Sequence, residues 1–140
     1  MRWIALSLAL SMPSQVAAQT CPPSTEADLP VFEDAKTAFF RTDYRAFANL
    51  VDEYVPNMDA QFDTLFGPLE VFEPRGYESC RTILQRREKP SFFQEVVFYF
   101  PRGADGPIAL HLVGTEIDGE VQVLEFTYNS SVGAVLSGLR

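Results

Sequence analysis

The stretch IALHLVGTEIDGEVQVLEFTY, residues 108–128, decides the architecture. Two β-favouring runs, 108–117 and 121–128, flank Asp118-Gly119, a pair that accepts the positive φ angles of a two-residue hairpin turn. Upstream, Pro101 and Pro107 bracket Arg102-Gly103-Ala104-Asp105-Gly106, a loop composition, and 92–100 is rich in Phe and Val. Before that, 77–87 alternates Cys80, Thr82 and Leu84 with Arg81, Ile83 and Gln85. Four consecutive strands with short connections predict an antiparallel meander. The runs 96–100 and 108–113 are apolar on both faces, so each side of the sheet needs cover.

The first half of the chain reads as helix. Asp28 can cap a helix with Pro30 in its first turn, where proline's missing N–H costs nothing, and Phe32, Ala35 and Phe39 recur at helical spacing. Arg41-Thr42-Asp43 breaks that run, and Thr42 or Asp43 can cap a second helix whose apolar face is Phe47, Leu50, Val51 and Tyr54. A third, short helix begins at Met58, with Phe62, Leu65 and Phe66 on one side and Gly67-Pro68 as its stop. Val132, Val135, Leu136 and Leu139 repeat the spacing near the end, weakened as a helix by Gly133 and Gly138. The expected class is α+β, with two to three N-terminal helices packed on a curved four-stranded antiparallel sheet.

Residues 1–18 read as an export signal that is removed. Arg2 supplies the positive start, 3–12 is apolar apart from Ser7 and Ser11, and Val16-Ala17-Ala18 is a cleavage site of small residues. The apolar run is shorter than the ~20 residues a membrane helix requires, so the mature chain is expected to be exported, periplasmic or secreted, without membrane insertion. Residues 19–28 read as a flexible segment and 29–140 as a single domain. The chain carries 11 basic and 19 acidic residues, a formal charge of −8, and loss of Arg2 makes the mature form more acidic. That charge and the expected export argue against nucleic acid as a partner.

Cys21 and Cys80 are the two cysteines, and in an exported chain an isolated pair reads as a disulfide. A loop of this length is worth about 4 kcal/mol by chain entropy. A redox Cys-x-x-Cys spacing is absent, and one histidine with two distant cysteines does not complete a metal site. No metal or other cofactor is expected.

This order of elements resembles the NTF2-like (cystatin-like) α+β superfamily. The resemblance is carried by 39–52, where Arg41-Thr42-Asp43-Tyr44 opens the second helix, and by Ile117-Asp118-Gly119-Glu120-Val121 followed by Phe126. It covers residues 29–128 and implies a hollow between helices and sheet. Members of the family include enzymes, ligand binders and interaction modules, so the fold alone assigns no activity. Enzymes of the ketosteroid isomerase type place an acid and hydrogen-bond donors in that hollow. Glu95, Glu116, Tyr99 and Tyr128 are residue types that could serve here, although no local motif aligns them.

His111 is the only histidine and sits inside an apolar strand. It reads either as an acid–base group in a concavity or as a half-buried strand histidine bonded to a neighbour, the commoner case. The pocket candidates are therefore His111, Glu95, Tyr99 and Glu116, and convergence of His111, Glu95 and Tyr99 would favour a pocket. No catalytic residue is assigned, because Gly-x-Ser-x-Gly and phosphate-binding glycine loops are absent. Arg75, Arg81, Arg86, Arg87, Lys89 and Arg102 cluster along the chain, as an anion or partner surface or as protection of an edge strand. The sequence favours a non-catalytic binding or interaction module, with a homodimer or a protein partner expected through the sheet. The alternative is a carrier of a small apolar ligand, or a pocket enzyme, using the hollow between helices and sheet.

Overall fold

A computed structural model describes residues 21–22, 29–88 and 90–139. The leader at 1–18 and the segment at 19–28, apart from Cys21 and Pro22, lie outside the described residues. Helices α1 (Pro30–Phe40), α2 (Tyr44–Val51) and α3 (Met58–Phe72) precede strands β1 (Tyr77–Glu88), β2 (Phe92–Pro101), β3 (Ile108–Ile117) and β4 (Glu120–Asn129). Helix α4 (Val132–Ser137) follows. The strands form one antiparallel sheet in the order β1-β2-β3-β4, the expected α+β meander.

Local chemistry sets the helix ends. At the close of α1 the Asp43 N–H donates to the Ala38 carbonyl and the Thr42 N–H to that of Phe39, a Schellman pair with Thr42 left-handed at φ 56°. Asp43 then caps α2 directly, its carboxylate accepting from the Ala46 N–H at 3.0 Å. The cap expected at Asp28 falls outside the described residues, and Leu29 occupies the N-cap position. Helix α3 departs from expectation by running through Gly67-Pro68 to Phe72. Pro68 deprives the Thr64 carbonyl of its helical donor, but Thr64 lies on the solvent side while Phe66 and Leu69 are buried on the other. Burial outweighs the missing bond.

Phe32, Phe39, Phe47 and Phe66 from the helices meet Val97, Tyr99, Leu110, Leu112 and Val123 from the sheet. Ring centroids of Phe39 and Tyr99 are 4.7 Å apart and those of Phe47 and Phe126 4.9 Å, distances at which aromatic pairs add about 0.5–1.5 kcal/mol beyond their area. On the outer face α4 seats Val135 against Val96 and Ala109, with Leu84, Phe98 and Leu139 around them. The second apolar face is thus partly covered within the chain.

Three register slips reshape the sheet. In β1 one lies between Tyr77 and Ser79 and a second between Thr82 and Leu84, so the simple alternation expected along 77–87 does not hold. Cys80 and Thr82 face the helices, and beyond the second slip Gln85 and Arg87 do, opposite Glu95 and Phe93. Leu84 turns to the outer face beside Val96. The slip in β3–β4 falls at Val113/Gly114, where an added Cβ would lie 2.5 Å from the Gln122 carbonyl oxygen and 2.9 Å from the Phe32 ring. The expected bridge is present: Cys21 and Cys80 are disulfide-bonded with Cα atoms 4.9 Å apart. The Cys21 carbonyl also accepts from the Thr82 hydroxyl at 2.6 Å, pinning the segment to β1.

Candidate functional site

Strand parity separates the residues that the sequence singled out. Glu95 pairs with Leu112 and Val96 with His111, so Glu95 and Tyr99 face the helices while His111 faces outward beside Val96. Glu116 is exposed close to the β3–β4 turn. Tyr128 lies on the helix side, its hydroxyl donating to the Leu65 carbonyl. His111, Glu95 and Tyr99 therefore do not converge, because the sheet stands between the first and the other two.

On the helix side Glu95 belongs to an ion network whose centre is buried. Its Oε2 lies 2.9 Å from Lys36 Nζ, and its Oε1 accepts from Arg87 Nη2 at 2.5 Å and from Gln85 Nε2 at 3.0 Å. Lys36 also pairs with Glu33 and donates to the Thr82 hydroxyl. Lys36 and Glu95 are both 0% exposed. The Tyr99 hydroxyl donates to the Lys36 carbonyl at 3.1 Å, and burial pushes its pKa well up, which keeps it a neutral donor. Aromatic rings fill the remaining space. Sequence reading missed Lys36, whose signal was its place in the stripe Phe32, Ala35, Lys36, Phe39, where a cation interrupts an apolar face.

The outer face is different. Between α4 and strands β2 to β4 lies a cleft of about 290 Å³. Gln94 and His111 line it, with Phe92 and Val113 as apolar walls and Glu125 and Thr127 on the β4 side. Gln94 and His111 are neighbours across β2–β3, the amide nitrogen 2.7 Å from His111 Nε2. Gln94 is buried, and its Oε1 has no hydrogen-bond partner. Burial holds the His111 pKa below the ordinary value of 6.5, against a smaller upward pull from Glu125. The imidazole is therefore neutral at pH 7. Its ring partner is an amide and not a carboxylate, so the pair is built to donate and accept hydrogen bonds more than to move a proton.

The basic cluster read from the sequence is divided. Arg87 turns inward to Glu95, Arg86 pairs with Glu88 at 2.5 Å, and Lys89 lies outside the described residues. Among the described residues no group of three or more His, Cys, Asp or Glu side chains is placed to hold a metal, and no helix is long and apolar enough to cross a membrane. Comparison of the chain with protein-family models, with curated proteins and with solved structures finds no match.

Proposed function

We propose that this protein is an exported, non-catalytic binding module whose site is the outer-face cleft beneath α4. The observation that carries the reading is the Gln94–His111 pair, two buried polar side chains that line a cleft with one amide atom unpartnered. A buried polar atom without a partner costs about 1–3 kcal/mol, so its presence calls for a reason, and a ligand that supplies the missing bond is one. The helix-side hollow does not compete for the role, since Phe32, Phe39, Phe47, Phe66 and Tyr99 occupy it. The NTF2-like resemblance stays part of the proposal, supported by three helices preceding a four-stranded antiparallel meander.

Native mass spectrometry of protein isolated from an exporting host tests the reading. Wild type is expected to release a small molecule on denaturation, and Ala134→Phe, which narrows the cleft from α4, is expected to lose it. A wild-type chain that carries nothing and binds no small amphiphile saturably would end the proposal.

Protein docking is the second reading, and Val71 and Phe72 favour it. They are 72% and 77% exposed at the end of α3, an apolar pair that folding leaves in water. Self-association through the sheet is less supported, because α4 occupies the centre of the outer face. Sedimentation at micromolar concentration decides between them: a dimer that Val71→Ser with Phe72→Ser dissociates would place the interface on α3.

A further inference from the structure

Resting on the cleft reading, the ligand's head group follows from the hydrogen-bond inventory of two residues. Gln94 and His111 share one bond, and with a neutral imidazole that bond has two arrangements. If the amide nitrogen donates to Nε2, the pair keeps the Gln94 oxygen as an acceptor, with Nδ1–H and the second amide N–H as donors. If instead Nε2–H donates to the amide oxygen, the pair keeps both amide N–H groups as donors and Nδ1 as an acceptor. Either way the pair is left with donors and an acceptor. Both assignments of the amide give the same balance.

The second ring nitrogen of His111 makes no hydrogen bond to a described residue, so it is open to a ligand. The amide atom left over on Gln94 is shielded from solvent. For a head group to meet it the cleft must open, and the least anchored element beside it is α4, six residues long, with Gly133 and a single buried side chain, Val135. Elements with so few buried contacts open at low cost.

Charge around the cleft narrows the choice. A carboxylate would give up hydration and answer no acceptor, with only a screened repulsion from Glu125 on the β4 side, while Arg86, the cross-strand neighbour of Gln94, is engaged by Glu88. An ammonium could satisfy the acceptor but would leave the donors unanswered, and would give up hydration that Glu125, exposed to water, offsets weakly. Phe92, Val113 and Val135 offer an apolar wall for the remainder. The volume is at the small end of the ~300–1,000 Å³ typical of small-molecule sites.

We propose that the cleft takes a small, uncharged amphipathic molecule whose head group both donates and accepts a hydrogen bond, as an alcohol or a primary amide does. Four six-carbon probes differing only at the head test it: hexan-1-ol, hexanamide, hexanoate and hexylammonium. Titration of isotope-labelled mature protein at pH 7.5, followed by NMR at the Gln94 side-chain amide and the His111 ring, reads affinity and place together. The alcohol and the amide are expected to shift both signals and to bind at least tenfold more tightly than either ion. Gln94→Met keeps the volume, removes the complementary pair and is expected to abolish that preference. Should the variant fail to fold, the wild-type series still decides. Equal or tighter binding of hexanoate or hexylammonium at those same signals would overturn the ligand class and leave the cleft reading standing. If none of the four probes moves either signal, the cleft reading falls and the ligand class falls with it.

Discussion

Lys36 Nζ lies 2.9 Å from Glu95 Oε2, and both side chains are buried. The contact joins α1 to the second strand of the sheet. It is affordable only because each charge has further partners: Glu33 and Thr82 for the lysine, Arg87 and Gln85 for the glutamate. Desolvating two ions costs several kcal/mol each, so the pair serves register more than net stability.

Removing one partner is therefore costly. Lys36→Met leaves Glu95 short of a cation in a buried site and is expected to destabilise the fold by about 3–5 kcal/mol in a denaturant titration. Adding Glu95→Leu should recover a substantial part, since Arg87 is near enough to the surface to find water. A loss below about 1 kcal/mol for the single variant would show that the network tolerates an unpaired carboxylate, contrary to its burial.

The disulfide offers a test of a different kind. Oxidised mature protein should contain no free thiol by alkylation and run at monomeric mass, since Cys21 and Cys80 are bonded to each other. Cys21→Ser with Cys80→Ser should cost about 4 kcal/mol by the loop-entropy model. It should also speed hydrogen exchange at Thr82, whose N–H now donates to the Cys21 and Pro22 carbonyls. Unchanged exchange there would mean that the hydrogen bonds hold the segment without the bridge.

Phe47 is completely buried and makes edge-on contacts with Phe39, Phe66 and Phe126. Phe47→Asp should unfold the protein or nearly so, because an unpaired carboxylate would enter a site with no donor prepared for it. A melting temperature within a degree or two of wild type would place Phe47 outside the core.

A substitution expected to stabilise lies at Thr42. A β-branched residue at φ 56° pays a steric cost that glycine avoids. Thr42→Gly should gain up to about 1 kcal/mol, less the side-chain bond from Thr42 Oγ1 to the Arg41 carbonyl at 2.6 Å. A clear loss of stability would mean that this bond outweighs the backbone strain.

His111 sets a pH dependence with a definite sign. Its pKa is lowered in the fold, so between the folded value and 6.5 the unfolded chain holds more protons than the native one. The stability it contributes is fully present above 6.5 and is lost as pH falls through that value towards the folded one. As the chain's only histidine, it gives a ring resonance that reports the folded pKa directly. Between pH 7 and 5, wild type should lose more stability than His111→Phe. A folded pKa above 6.5 would reverse the slope and show that Glu125 outweighs burial.

Helix spacing, the Asp118-Gly119 turn, the proline-bracketed loop and the cysteine pair each act over a few residues or through a single covalent option. The helices, the four strands in order and the disulfide were therefore legible from the sequence alone. The turn is a case in point: Asp118 and Gly119 both adopt positive φ, at 53° and 84°, as the dipeptide implied. What escaped was everything that depends on counting across the sheet. One extra residue between Thr82 and Leu84 inverts the facing of all that follows in β1, bringing Arg87 inward to Glu95 and sending Leu84 outward to meet Val96. The same parity puts His111 on the opposite side of the sheet from Glu95, and only pairing partners distant in the chain set it. Helix α3 passes Pro68 for a related reason, since the burial of Phe66 and Leu69 that carries it onward belongs to the assembled core and not to the local dipeptide. Local chemistry specified the elements, and long-range pairing decided which side chains meet.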